Sequence, residues 1–266
     1  MIGDARNEQE SERERRLREL TDDGEIISAE DYRRRSRRSF LSFGALGALG
    51  YVGFNTLQNQ EQSDNVPRLL RWGLERNDDV WSALERDGAM ARTFDISDRE
   101  DIRVNGTFGL ESDLPDDFAI SMRIDGDEYA SVPAGDVRDL DAHDMVWEHK
   151  CIEGWANIVH WTGTRFSDFL AAHGPESDDW EYISLRTPDE EYYVGIDRYT
   201  AFHDQTLLAW ALNGEDLSVE HGAPLRLATP FKYGIKQLKR VGIVEFSDQR
   251  PTDYWYERGY DWHASF

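Results

Sequence analysis

Residues 147–155 read Trp147-Glu148-His149-Lys150-Cys151-Ile152-Glu153-Gly154-Trp155 and contain the only cysteine of the chain. A thiolate attacks carbonyl carbons and ligates soft metals, and cationic neighbours such as Lys150 and His149 favour that form. A lone cysteine also serves as a small buried hydrophobe. His149, His160, His203 and His221 are available bases, so one reading is a Cys-His hydrolase. Zinc is the weaker alternative, because the His149-x-Cys151 pair lacks a second spaced pair. A single thiol excludes an internal disulfide, a CxxC redox pair and any Cys-rich zinc or iron–sulfur centre.

The second constellation is one of charge. From His221 to Val244 there is no Asp or Glu, yet the stretch carries Arg226, Lys232, Lys236, Lys239 and Arg240. Three of the four lysines fall within residues 232–239. Such an island either faces an anion or is matched by carboxylates folded over it. Pro230-Phe231-Lys232-Tyr233-Gly234 supports an oxyanion or phosphate site, since its glycine permits close approach of backbone to ligand.

Around these residues the chain is strongly acidic: 266 residues with 53 acidic and 30 basic side chains, a formal net charge of −23. Nucleic acid is therefore excluded as a partner, because phosphate-backbone binding relies on clustered Lys and Arg. The acid excess reads as a solvated, halophile-type surface. Hydrophobic residues at 39% suffice for a packed core.

The N-terminus is built differently. Residues 1–38 hold ten Arg and eleven Asp or Glu and read as a hydrophilic tail. Ser36-Arg37-Arg38-Ser39-Phe40-Leu41 has the form of a twin-arginine export signal, and residues 39–54 supply the uncharged apolar segment behind it. The expected order is tail 1–38, signal or anchor helix 39–54, linker 55–66 and a single domain 67–266. Localisation is expected to be extracytoplasmic, with the helix retained as a membrane anchor.

Short elements must position the site. Ala119–Ile124 alternates and leads through Asp125-Gly126 into Glu128–Val132, a hairpin pattern. Trp180–Leu185 and Glu191–Ile196 form a second pair around Thr187-Pro188-Asp189. Leu225–Ala228 and Val241–Phe246 read as buried strands. Pro67–Arg86, in two pieces, Thr164–His173 and Gln205–Leu212 are the expected helices, the last stopping at Asn213-Gly214. The fold class is α+β, a strand-rich mixed-sheet domain.

The chain resembles the molybdopterin-binding oxidoreductase family that includes sulfite oxidases and the periplasmic protein-methionine-sulfoxide reductase catalytic subunits. The resemblance spans Phe94 to Phe266. It rests on Cys151-Ile-Glu-Gly-Trp155 with Trp161-Thr-Gly163, Leu208-Ala-Trp210 through Asn213-Gly-Glu215, His221-Gly-Ala-Pro-Leu-Arg226, Pro230 through Lys239, and Tyr254-Trp255 with Gly259-Tyr-Asp-Trp262.

The resemblance implies a molybdenum-molybdopterin cofactor and oxygen-atom transfer to or from a small substrate of the sulfite, S-oxide or N-oxide type. By the same resemblance Cys151 is the metal-ligating thiolate, and Arg226 and Lys239, with Lys236, Gln237 and Leu238, hold the pterin and its phosphate. Thr187 matches a pterin contact, and Asn105, Phe108 and Gly109 match an earlier cofactor loop. His221 sits where sulfite oxidases carry histidine and the reductase type carries asparagine. His221 and Arg226 join Cys151 as expected catalytic residues. A monomeric catalytic domain is expected, passing electrons to or from a membrane haem protein or a small extracytoplasmic carrier. A non-catalytic anchored binding module is the remaining alternative. The aromatic tail from Tyr254 to Trp262 is expected to pack into the core rather than form a substrate cage.

Overall fold

The computed structural model describes residues 29–63, 65–86, 88–111, 113–177 and 179–266. The expected tail before residue 29 lies outside them. The chain divides into two units, Met1–Gln60 and Glu61–Phe266.

The first unit is described by one helix, α1 (Ala29–Gln58), which contains both the arginine run and the apolar segment. Within it Arg33–Gln58 is long and apolar enough to cross a membrane, by length and composition, with an 18-residue stretch of mean hydropathy 1.3. Its large apolar side chains, among them Phe40, Leu41, Phe43 and Phe54, are exposed.

The second unit opens with a two-residue ribbon, β1 (Gln62–Ser63) against β2 (Val66–Pro67), and helix α2 (Arg68–Leu84). The expected two helical pieces are one helix here. Strands β3 (Ala119–Ile124) and β4 (Asp127–Pro133) form the expected hairpin, with Asp125 and Gly126 both at positive φ in the turn. After α3 (Ala134–Arg138) come β5 (Ala142–Lys150), β6 (Ala156–Arg165) and α4 (Phe166–His173). Then follow β7 (Tyr182–Arg186), β8 (Tyr193–Asp197), α5 (Arg198–Phe202), β9 (Leu207–Leu212), β10 (Glu215–Asp216), β11 (Arg226–Ala228) and β12 (Ile243–Ser247).

Two sheets result. One has the order β10-β9-β6-β5, with β11 also paired to β9, and is antiparallel throughout. The other, β4-β3-β12-β7-β8, is mixed because β12 runs parallel to β3. The main core packs Ile120 and Met122 of β3, Ile183 and Leu185 of β7 and Val244 and Phe246 of β12 against Phe166 and Phe169 of α4 and Leu208 and Trp210 of β9. A second cluster holds Trp147, Val159, Trp161, Leu207 and Ala209 on the opposite face of the first sheet.

Those two clusters explain the one element that departs from expectation in type. The segment around Gln205–Leu212 is a strand, not a helix, because Leu208 and Trp210 face one core and Leu207 and Ala209 the other. A strand buried on both faces loses its alternation and reads as a continuous apolar run. Asn213 and Gly214, both at positive φ, turn the chain into β10 instead of capping a helix. The helix expected from Thr164 starts two residues later, since Thr164 and Arg165 still pair with Leu208 and Leu207.

Candidate active site

Cys151 lies in the turn between β5 and β6. Its N–H donates to Trp155 O at 2.9 Å, its carbonyl accepts from Gly154 N at 3.0 Å, and Gly154 takes the positive φ of 89° that closes the turn. Along β5, Trp147 and His149 are buried. His149 tilts against Trp161 and Trp155. Cys151, two residues further on, opens into a cavity of about 330 Å³ that Asn105, His149, His221, Arg226 and Lys239 also line. The thiol and the late cations thus share one cavity.

The basic island divides in two. Lys236 is buried against Asp253 at 2.6 Å and donates to Gly195 O at 2.7 Å. Lys232 is buried within 3.9 Å of both Glu85 and Asp197 and touches His263 at 3.0 Å. Acids therefore match these two lysines. Arg226 and Lys239 instead donate to main-chain carbonyls: Arg226 to His221 O and Gln237 O, Lys239 to Asn105 O, Gly106 O and Glu220 O. Arg226 lies over the Trp161 ring at 4.7 Å, and its Nε is buried with no hydrogen-bond partner among the described residues. Burial brings the Arg226 guanidinium down to about 9; burial and the neighbouring Arg226 charge bring Lys239 down to about 8. Among the described residues Glu153 is the one acid in the cavity wall.

His149, expected from sequence as a cationic neighbour of the thiol, a hydrolase base or a zinc partner, is not cationic in the fold. Its Nδ1 lies 3.1 Å from Gln237 Oε1, and Gln237 Nε2 donates to Thr229 O and Lys232 O, which fixes the amide and leaves Oε1 as an acceptor from the imidazole N–H. Burial first, then Arg226, Lys239 and His221, push His149 down to about 3, so it is neutral at any working pH. Gly234 packs so closely that a Cβ there would lie 3.1 Å from His149 Nε2. Among the described residues, Asn105 reaches the Cys151 thiol, its Nδ2 donating to Sγ at 3.8 Å. A neutral histidine turned to a glutamine neither ion-pairs with a thiolate nor takes its proton readily, which weighs against the Cys-His hydrolase. His221 is half-buried, and desolvation followed by Arg226 lowers its pKa as well.

The remaining expected residues fall in different places. Phe108 lines the cavity mouth, stacked on Tyr192 at 6.1 Å and tilted against Tyr254 at 5.2 Å. Gly109 and Thr187 stand behind that wall: a Cβ on Gly109 would sit 2.1 Å from Thr187 Cγ2. Thr187 Oγ1 donates to Asp189 and accepts from Tyr192 N. Lys236 and Leu238 do not reach the cavity; Leu238 belongs to the core, and its N–H and C=O are used by Lys236 O and Leu227 N. The aromatic tail divides too. Tyr256 and Trp262 are buried, whereas Trp255 and Tyr260 line the cavity with Trp155 and Tyr192. Residue type alone does not separate these two sets, because both lie in one short irregular stretch.

The cavity suits the group that the resemblance implies. It holds a soft sulfur donor, the cations Arg103, Arg226 and Lys239, which have no carboxylate ion pair among the described residues, and a buried Arg226 nitrogen with no hydrogen-bond partner among them. An anionic ligand carrying a soft metal satisfies all three.

Comparison with known proteins agrees. A putative protein-methionine-sulfoxide reductase subunit YedZ1 from Azospira oryzae is 36% identical over 119 residues, covering 45% of each chain. The protein-methionine-sulfoxide reductase catalytic subunit MsrP of Xanthomonas campestris pv. campestris is 30% identical over 136 residues, covering 46% of this chain and 42% of its own. The chain thus spans less than half the length of these curated relatives. Among solved structures, the sulfane dehydrogenase SoxCD of Paracoccus pantotrophus superposes with a TM-score of 0.47 at 17% identity, over 52% of this chain and 40% of its own. The oxidoreductase molybdopterin binding domain profile matches residues 110–255, more than half of the sequence, and the chain belongs to that family.

Proposed function

We propose that this molybdopterin-dependent oxidoreductase transfers an oxygen atom from a small S-oxide-type substrate, taking its electrons from a separate redox partner. When bound, the cofactor supplies a molybdenum centre that exchanges an oxygen atom with a two-electron change at the metal. The chain's own residues do the rest. Cys151 supplies the thiolate ligand and Asn105 steadies it through the amide at 3.8 Å. Arg226 and Lys239 would hold the anionic end of the cofactor, and His221, beside them in the cavity wall, would face the bound group. His149, held neutral, fills the inner wall without repelling a cation or binding an anion.

One observation carries this reading: Cys151 opens into the same cavity as Arg226 and Lys239, which have main-chain carbonyls and no carboxylate as hydrogen-bond partners among the described residues. The rim favours an S-oxide over sulfite, because Ile102, Phe108, Ile152 and Trp155 offer apolar contact to the arms of a neutral sulfoxide and little to a strongly hydrated dianion. The names of the Azospira and Xanthomonas relatives support the same direction. The twin-arginine pattern and α1 support export, with retention at the membrane and a membrane haem protein or small extracytoplasmic carrier as electron donor.

The test is co-expression with the cofactor-synthesis machinery, metal analysis, and turnover of sulfoxides, N-oxides and sulfite with a reduced or oxidised dye. Stoichiometric molybdenum, a thiolate-to-metal absorption lost in Cys151→Ser, and dye oxidation by sulfoxide are expected. A chain without molybdenum, or one that turns over sulfite alone, overturns the reading.

A further inference from the structure

Helix α2 is inside out. Its two buried residues are Arg71 and Asp78, whereas Leu70, Trp72, Val80 and Leu84 are each more than half exposed. The buried charges are engaged: Arg71 donates to Tyr256 O at 2.8 Å with its guanidinium 3.7 Å over the Tyr256 ring, and Asp78 accepts from Arg250 at 2.8 Å and from His263 N at 3.1 Å. These contacts orient the helix, so the apolar residues cannot rotate inward. Positions 72, 80 and 84 then fall along one outward row at helical spacing, with the exposed Arg76, paired to Asp79 at 2.8 Å, between the first two, while Leu74 and Trp81 are partly buried on the Arg71 and Asp78 face. Such a stripe costs solvation free energy unless something covers it.

We propose that this stripe docks onto the surface of a lipid bilayer, with Trp72 at the headgroup level. Three features favour lipid over a second protein. By chain length alone, residues 59–67 join the end of α1 to the start of α2, and nine residues reach at most about 30 Å. A membrane-spanning α1 therefore tethers the start of α2 within that reach of the membrane and goes no further in placing it; this part rests on the anchored reading above. Tryptophan among aliphatic residues on one helix face is the composition of an interfacial helix. Finally, residues 68–84 carry three Arg against three Asp or Glu in a chain of net charge −23, so this helix approaches an anionic leaflet without the repulsion the rest of the surface meets.

The test uses the full chain reconstituted in phosphatidylglycerol–phosphatidylcholine vesicles carrying bromolipids brominated near the headgroup or near the acyl terminus. The Trp72 signal is the difference between the wild type and Trp72→Phe. Strong loss of that signal with the shallow quencher and little with the deep one is expected. Val80→Glu and Leu84→Glu, both on exposed positions, should restore the emission while leaving circular dichroism unchanged. Absence of quenching overturns the docking whatever else is found, and points to a protein cover. Alkaline extraction reads the anchor separately: release of a chain whose Trp72 is still quenched removes the anchored reading and leaves the docking.

Discussion

Lys239 and Asn105 are joined through the main chain: the Lys239 ammonium donates to Asn105 O at 2.6 Å, while the Asn105 side chain reaches Cys151 Sγ. One residue thereby links the cationic end of the cavity to its sulfur end. Asn105→Ala keeps the carbonyl and removes only the donor to sulfur. Outer-shell partners of metal ligands are typically worth about 10-fold or more in activity or metal retention. The expected result is a roughly 10-fold loss of sulfoxide turnover, together with a shifted thiolate-to-metal absorption, read on the molybdenum-loaded enzyme. An unchanged absorption would remove Asn105 from the site.

Gly109 has no room for a side chain. Its φ of 73° favours glycine, and an added Cβ would overlap Thr187. Gly109→Ala should destabilise the fold by about 1–3 kcal/mol and displace Phe108 from the cavity mouth. Thermal unfolding measures the first effect, and the KM for sulfoxide the second. A variant with wild-type midpoint and KM contradicts the close approach.

Anion binding to the cofactor-free cavity should depend on pH through Lys239. Burial and Arg226 bring this group to about 8, below the ordinary lysine value of about 10.4. Between those values the folded, ligand-free chain binds fewer protons than the unfolded chain, so Lys239 makes ligand-free stability rise with pH there. Anion affinity moves the other way, since only the protonated amine attracts the anion. Titration calorimetry with sulfate, whose charge is constant in this range, should show binding that weakens as pH passes about 8. Lys239→Gln should weaken binding at neutral pH and flatten the profile. A flat wild-type profile would mean that Lys239 does not face the anion.

Lys236 and Asp253 are each 2% exposed and 2.6 Å apart. Asp253→Asn leaves a buried ammonium without its counter-charge and should cost about 3–5 kcal/mol. Lys236→Met should cost less than Asp253→Asn, because the Asp253 carboxylate keeps hydrogen bonds from Gly195 N, Trp255 N and Tyr256 N, whereas the stranded ammonium keeps Gly195 O. Denaturant midpoints of the two variants decide this. Wild-type midpoints in both variants would show that the pair is not what holds the segment between β11 and β12.

Much of this arrangement was legible in the linear order of residues. Hairpins β3–β4 and β7–β8 follow from alternation and turn residues that act over a few positions. Strand β9 was not legible, because its two-sided burial depends on β6, β11 and both core clusters at once. The inverted helix α2 was equally hidden, since its apolar spacing is that of an ordinary core-facing helix.

The same division holds at the site. Residue types alone determined that there is one thiol, that five cations occupy an acid-free stretch, and that the chain around them is strongly acidic. Only tertiary structure decided which of those cations are free to meet a ligand. Asp253, Glu85 and Asp197 arrive beside Lys236 and Lys232 from distant parts of the chain, while Arg226 and Lys239 are left to backbone carbonyls and the cavity. Charge pairing acts through space and is set by how strands and loops fold over one another, so it has no signature in local spacing.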